Sequence, residues 1–228
     1  MNGTLVVVDD VALAFADLVI DRSATERRFD LAFSGGSTAA DCYKALASRS
    51  TEVDWSRVVA WWGDERCVPP SDQDSNFHLV DVALLDRVAP LASVHPMFDG
   101  NRTPEDAAED YERLLREAPP IDLVHLGLGP DGHTASLFPE SPALSAPRGR
   151  LVVANVDPLG NNPHTRLTFT YVAIEQARSV VVTVSGASKT EALHRVLDED
   201  PTAPAANLRG RDIVWLVDPA ALGDRSAR

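Results

Sequence analysis

Short apolar runs recur along this chain, and most end in a small or glycine-rich loop that opens into a stretch with helical spacing. The first, Thr4 to Val8, leads into an amphipathic segment from Val11 to about Arg28. Phe29 to Phe33 enters Ser34-Gly35-Gly36-Ser37-Thr38 and then the helical Ala39 to Ala47. Val58 to Trp62 meets Gly63-Asp64-Glu65-Arg66 and a polar, proline-containing loop before a helix that starts near Asn76. Thr103-Pro104-Glu105-Asp106 combines a capping residue, a first-turn proline and acids suited to the positive end of a helix, which is expected to run to about Glu117. Leu123 to Leu128 reads as a buried strand feeding Gly129-Pro130-Asp131-Gly132-His133-Thr134-Ala135-Ser136. The stretch from Ser141 to Asn162, rich in Pro, Gly and Asn and broken only by Leu151 to Ala154, predicts an excursion over the surface. Thr165 to Thr170 alternates like a strand, and Val180 to Val184 is a continuous run expected of a strand buried on both faces. Ser185-Gly186-Ala187-Ser188 and a helix from Lys189 to Leu197 follow, then a last strand from Ile213 to Val217 and a tail expected to fray after about Asp218.

This repetition is βαβ logic. It predicts an α/β protein: a single-domain, three-layer α/β/α fold with a mostly parallel, Rossmann-like sheet. With 228 residues, 44% hydrophobic and 24% charged, one domain spanning residues 1–228 can bury a sizeable core.

The formal net charge of −13 gives a global field that repels nucleic acid, anionic membranes and phosphorylated metabolites alike. Neither nucleic acid nor membrane is expected as a partner. A phosphate ester could be held only by a local cluster of donors, which makes Arg66 and Lys189, basic groups in glycine-containing loops, informative. Cys42 and Cys67 have no paired metal-ligand spacing and read as free thiols of a reducing compartment. With Asp9, Asp10 and Asp17 interrupting the N-terminal apolar stretch, a cytoplasmic protein is expected, a monomer or weak homo-oligomer.

In an open parallel sheet the loops that leave strands for helices emerge at one edge, where ligands bind. Four loops should therefore converge. Ser34 to Thr38 offers two glycines for close backbone approach and opens a helix whose first N–H groups lack internal partners, a competent anion cradle that is equally an ordinary turn and cap. Ser185 to Lys189 repeats the idea, and Lys189 at a helix start opposes the macrodipole unless an anion sits between them. Asp64-Glu65-Arg66 brings two carboxylates and a guanidinium to the same edge, with Arg66 suited to phosphate or to a developing oxyanion. Asp131-Gly132-His133-Thr134 sets a histidine after a glycine turn, two residues from a carboxylate that can orient its ring for general-base work. His125, inside a strand pattern, reads as a core group.

Taken in order, Ser34-Gly35-Gly36-Ser37, Asp64-Glu65-Arg66, the run from Gly127 to Pro139, Pro163-His164-Thr165-Arg166-Leu167-Thr168 and Ser185-Gly186-Ala187-Ser188-Lys189 resemble the motif set of the 6-phosphogluconolactonases. The match spans about Phe29 to Leu197. The wider superfamily includes glucosamine-6-phosphate deaminases and isomerases, which carry an Asn-Glu-Pro after the histidine whose glutamate assists ring opening. Here Ser136-Leu137-Phe138-Pro139 has no glutamate before the proline, which favours the lactonase.

The resemblance implies hydrolysis of a phosphorylated sugar lactone without cofactor or metal. His133, oriented by Asp131, is expected to activate water, and Arg66 to stabilise negative charge or hold the phosphate. The phosphate is expected near Ser34, Gly35, Gly36, Ser37 and Thr38 and near Lys189, with Arg166 as a further contact; Asp64 and Thr134 complete the expected substrate-binding set. Three alternatives stay open: an amino-sugar phosphate deaminase or isomerase, a catalytically silent sugar-phosphate sensor, and a metal hydrolase using Asp64, Glu65, Asp131 and His133.

Overall fold

The computed structural model describes residues 1–225. The chain forms β1 (Thr4–Val7), α1 (Val11–Ala24), β2 (Phe29–Phe33), α2 (Ser37–Ser48), β3 (Val58–Trp62), β4 (Asp64–Arg66), α3 (Asn76–Ala83), β5 (Ser93–Val94) and α4 (Pro104–Glu117). It continues with β6 (Leu123–Gly127), β7 (Val152–Asn155), β8 (Arg166–Phe169), α5 (Tyr171–Gln176), β9 (Ser179–Val184), α6 (Thr190–Leu197), β10 (Ile213–Val217) and α7 (Pro219–Leu222).

Seven strands make an all-parallel sheet in the order β1-β10-β9-β6-β2-β3-β5. The central β2, β3 and β9 are buried at every residue, as their apolar runs require, whereas edge strand β1 is largely exposed. Right-handed crossovers place α1, α2 and α3, whose connections run toward the β5 edge, on one face, and α4 and α6, whose connections return toward β1, on the other. In agreement, α1 packs on α2 and α2 on α3, while α4 packs on β7 and β8. The connections from neighbouring β2 and β6 thus depart to opposite faces, which opens a crevice at their carboxyl ends.

Three expectations need correction. The Thr165 to Thr170 run is a strand, yet it belongs to a separate antiparallel sheet, β4-β8-β7, in which Asp64-Glu65-Arg66 itself is the edge. The 141–162 stretch is not a simple surface excursion, because Ala143, Leu151, Val152 and Asn155 are buried and β7 lies within it. The tail does not fray at Asp218: the Asp218 carboxylate caps α7 by accepting from Ala221 N at 2.7 Å, and Leu222 is buried.

Candidate active site

The crevice holds a cavity of about 170 Å³ to which all four predicted loops contribute. A larger hollow of about 1010 Å³ opens at the opposite, amino edge of the sheet, lined by Pro119, Pro120, Ile121, Ala177 and Arg211 among others, and contains none of those loops. The loops expected to carry the chemistry therefore meet at the smaller cavity.

The glycine loop begins where the β2 ladder stops. Ser34, Gly35 and Gly36 line the cavity; Ser37 and Thr38 start α2 but do not. Gly36 adopts φ 99° at the helix cap with no capping side chain, and the first intrahelical bond is Ala40 N to Gly36 O, so the N–H groups before Ala40 have no helical partner. Gly35 is required for another reason: a Cβ there would lie 1.9 Å from the Asn76 Oδ1.

Asp64 and Glu65 point different ways, as successive strand residues must. Asp64 lines the cavity, and its carboxylate accepts from Ser136 Oγ at 2.7 Å and Asn76 Nδ2 at 3.3 Å. Glu65 is buried on the other side, accepting from the backbone N–H groups of Arg66 at 2.6 Å and of Asn76 and Phe77 at 2.7 Å each. Burial pushes its carboxyl up to about 6 against those hydrogen bonds. Glu65 is thus a brace that ties β4 to the start of α3. Among the described residues no group of three or more His, Cys, Asp or Glu side chains is placed to hold a metal ion.

Arg66 and Arg166 are register partners in the β4–β8 ladder, and both line the cavity. Arg66 donates to the Asp74 carbonyl at 2.6 Å; the Arg166 Nε is buried without a partner. Burial lowers the Arg166 guanidinium below its ordinary value, Asp64 opposes this, and Arg66 adds to it. Among the described residues neither arginine forms a salt bridge.

The histidine loop is folded by its glycines. Gly129 N donates to His133 O at 2.8 Å, Gly132 N donates to Gly129 O at 3.0 Å, and Gly132 has φ 87°. The His133 Nδ1 then lies 2.5 Å from Asp131 Oδ1, with both side chains about 20% exposed. Burial acts to raise the Asp131 carboxyl, but the His133 hydrogen bond and charge hold it below its usual value. Arg195 Nη1 fixes the turn from behind by donating to the Asp131 carbonyl at 2.9 Å. Thr134 does not line the cavity; its buried hydroxyl donates to Gly127 O at 2.9 Å and braces the turn.

The Ser185 to Lys189 loop is only partly as expected. Two of its would-be anion donors are already used, since Ser185 Oγ and Gly186 N both donate to the Asp218 carboxylate, at 2.6 and 2.9 Å. Lys189 alone of this loop lines the cavity, where burial lowers its ammonium and Asp131 opposes the shift. Asn76 and Asn162 also line the cavity without a distinguishing sequence signal as site residues, and Ser136 and Phe138, which lie in the motif run from Gly127 to Pro139, line it as well. Phe138 sits edge-on to His133 with ring centroids 5.1 Å apart, immediately before Pro139.

A family model described as glucosamine-6-phosphate isomerases/6-phosphogluconolactonase matches residues 5–215. The chain belongs to this family. A Synechocystis protein named 6-phosphogluconolactonase is 40% identical over 92% of this chain and 90% of that protein. A rat protein of the same name is 34% identical over 93% of this chain and 88% of its own length. Among solved structures, that of 6-phosphogluconolactonase from Thermotoga maritima superposes with a TM-score of 0.82 at 29% identity, covering 94% of this chain and 99% of the other. The family match takes in all four loops of the crevice.

Proposed function

We propose that this chain hydrolyses 6-phospho-D-glucono-1,5-lactone to 6-phosphogluconate, a step of the oxidative pentose phosphate pathway, by general-base activation of water. One observation carries the reading: a histidine hydrogen-bonded to a carboxylate at 2.5 Å shares a small cavity with two opposed arginines that form no salt bridge among the described residues. Two cations that form no salt bridge among the described residues suit a dianionic phosphate, and the dyad suits a reacting carbonyl.

With Nδ1–H given to Asp131, the His133 Nε2 carries the lone pair. It takes a proton from water as the water oxygen bonds to C1, and negative charge develops on the carbonyl oxygen. When the tetrahedral intermediate collapses, the C1–O5 bond breaks and Nε2 returns the proton to O5. Lys189, beside Asp131, is placed in our reading to offset charge at this reacting end, with Arg66, Arg166 and the Ser34 to Gly36 loop on the phosphate. Asp64 and Asn162 are placed in our reading toward the sugar hydroxyls. The cycle calls for nothing beyond water and the chain's own residues.

Phe138 favours this over amino-sugar deamination, because an apolar ring stands directly before Pro139, where ring opening would need a carboxylate. We also take residues 1–228 as one catalytic unit working in the cytoplasm, a monomer or weak homo-oligomer. No helix among the described residues is long and apolar enough to cross a membrane. A coupled assay on freshly generated phosphorylated lactone, with spontaneous hydrolysis subtracted, tests the function. Release of 6-phosphogluconate no faster than the blank, or release of ammonia from glucosamine 6-phosphate, overturns it.

A further inference from the structure

Ser34 is the first residue past the β2–β3 ladder, whose last register pair is Phe33 and Trp62. Its backbone groups are buried and have lost their strand partners, so something else must satisfy them. Tyr43 does both jobs: its hydroxyl accepts from Ser34 N at 2.8 Å and donates to Ser34 O at 3.0 Å. The residue reaches back from α2, on the inward face shared with Ala39, Cys42 and Leu46. Tyr43 is fully buried, wedged edge-on against Phe33 and Phe15.

The hydroxyl is itself fixed. His125 Nδ1 lies 2.9 Å from Tyr43 Oη, and His125 Nε2 lies 2.9 Å from Thr183 Oγ1. One proton arrangement satisfies the Thr183 hydroxyl, both His125 ring nitrogens, the Tyr43 hydroxyl and both Ser34 backbone groups. Thr183 donates to Nε2, Nδ1–H donates to Tyr43, and the Tyr43 proton goes to the Ser34 carbonyl. The reverse arrangement would spend the tyrosine proton on Nδ1 and orphan that carbonyl. His125 is therefore a neutral Nδ1–H tautomer, and its burial, which pushes the imidazolium down to about 3, keeps it so. The line of contacts joins β6 and β9, the strands that feed the histidine and lysine loops, to the glycine loop.

We propose that Tyr43, oriented by His125, is a positioning residue for the reaction: by holding both backbone groups of Ser34 it sets the direction in which Gly35 and Gly36 face the phosphate. The role in catalysis rests on the phosphate reading given above; the claim about loop geometry does not. The hydroxyl touches no substrate, and its effect passes entirely through the loop. Loss of it should weaken recognition of the phosphate while leaving chemistry at His133 largely intact.

The test combines Tyr43→Phe with two substitutions of His125. His125→Asn keeps a side-chain N–H near the Nδ1 position, whereas His125→Phe keeps the ring shape without it. In the unliganded proteins, amide hydrogen exchange at Gly35 and Gly36 should speed up at least 10-fold in Tyr43→Phe and His125→Phe and stay within about 3-fold of wild type in His125→Asn. With 6-phosphogluconate and gluconate as probes, Tyr43→Phe should lose roughly 10-fold or more in affinity for the phosphorylated compound only, and KM for the lactone should rise with kcat within a few-fold. Unchanged glycine exchange in folded Tyr43→Phe overturns the positioning claim. Faster exchange with equal affinity for both probes in the wild type retains the clamp and overturns the phosphate reading instead. Should Tyr43→Phe not fold, the contrast between His125→Asn and His125→Phe decides the matter alone: equal behaviour of the two overturns the proposal.

Discussion

Arg66 and Arg166 stand directly opposite each other in the β4–β8 ladder, so that two like charges share one rung, and among the described residues neither forms a salt bridge. Cross-strand like charges are destabilising, by up to about 1 kcal/mol at ordinary sites. Arg166 is also 94% buried, which adds a desolvation cost. In the function proposed above, the fold holds this arrangement for an anion. Arg166→Met should therefore leave the unliganded protein as stable as wild type or more so, read by urea unfolding, while raising KM for the phosphorylated lactone by about 10–100-fold, the loss of one or two charge-assisted contacts. A variant that is clearly less stable with unchanged KM would mean that Arg166 is a structural cation balanced by Asp64.

His133→Gln keeps a polar side chain but cannot shuttle a proton at neutral pH. Its kcat should fall by about 10²–10⁴-fold, with KM within a few-fold, because the phosphate donors lie on other loops. Near-normal turnover in a folded variant would remove His133 as the base.

Gly129 offers a sharper test of the same geometry. A Cβ there would lie 2.1 Å from the His133 Nδ1, so Gly129→Ala must displace the ring from Asp131. The expected result is a loss in kcat approaching that of His133→Gln with phosphate affinity preserved. Turnover within 3-fold of wild type would show that the Asp131 contact does not govern the base.

Much of this site was legible because it sits where strand runs end, and apolar runs such as Phe29–Phe33 and Val58–Trp62 announce themselves. Asp131 and His133 were readable as a pair because the glycine turn that joins them is local. What could not be read was set by contacts distant in sequence. Asn76 looks like one more helix-start residue, and only the approach of Gly35 turns it into a cavity wall. Ser185 and Gly186 have the makings of an anion cradle, but Asp218, 32 residues beyond Gly186, consumes their donors. The Asp64-Glu65-Arg66 triplet gives no hint that it pairs with Arg166 to Thr168, since a three-residue strand carries too little alternation to declare a partner.

Acid stability provides a last test, through two buried groups with opposite signs. His125 is neutral in the fold down to about 3, against an ordinary value of 6.5, so as pH falls below 6.5 the unfolded chain gains a proton that the native state refuses. Its contribution is present above 6.5 and is lost progressively toward 3; at about 1.4 kcal/mol for each pH unit between the two values, the loss amounts to roughly 5 kcal/mol. Glu65 works the other way, its native value of about 6 standing above the ordinary 4.5, so that its contribution is complete below 4.5 and lost as pH rises through 6. Between 6 and 4.5 the two nearly cancel, and below 4.5 only the histidine term continues. Urea unfolding of the wild type should thus show a shallow dependence from pH 6 to 4.5 and a steeper fall beneath it. In His125→Asn the first window should invert, with stability rising on acidification as Glu65 takes its proton. A wild-type curve already steep at pH 6, unaltered in slope by the substitution, would place the titrating group elsewhere in the fold.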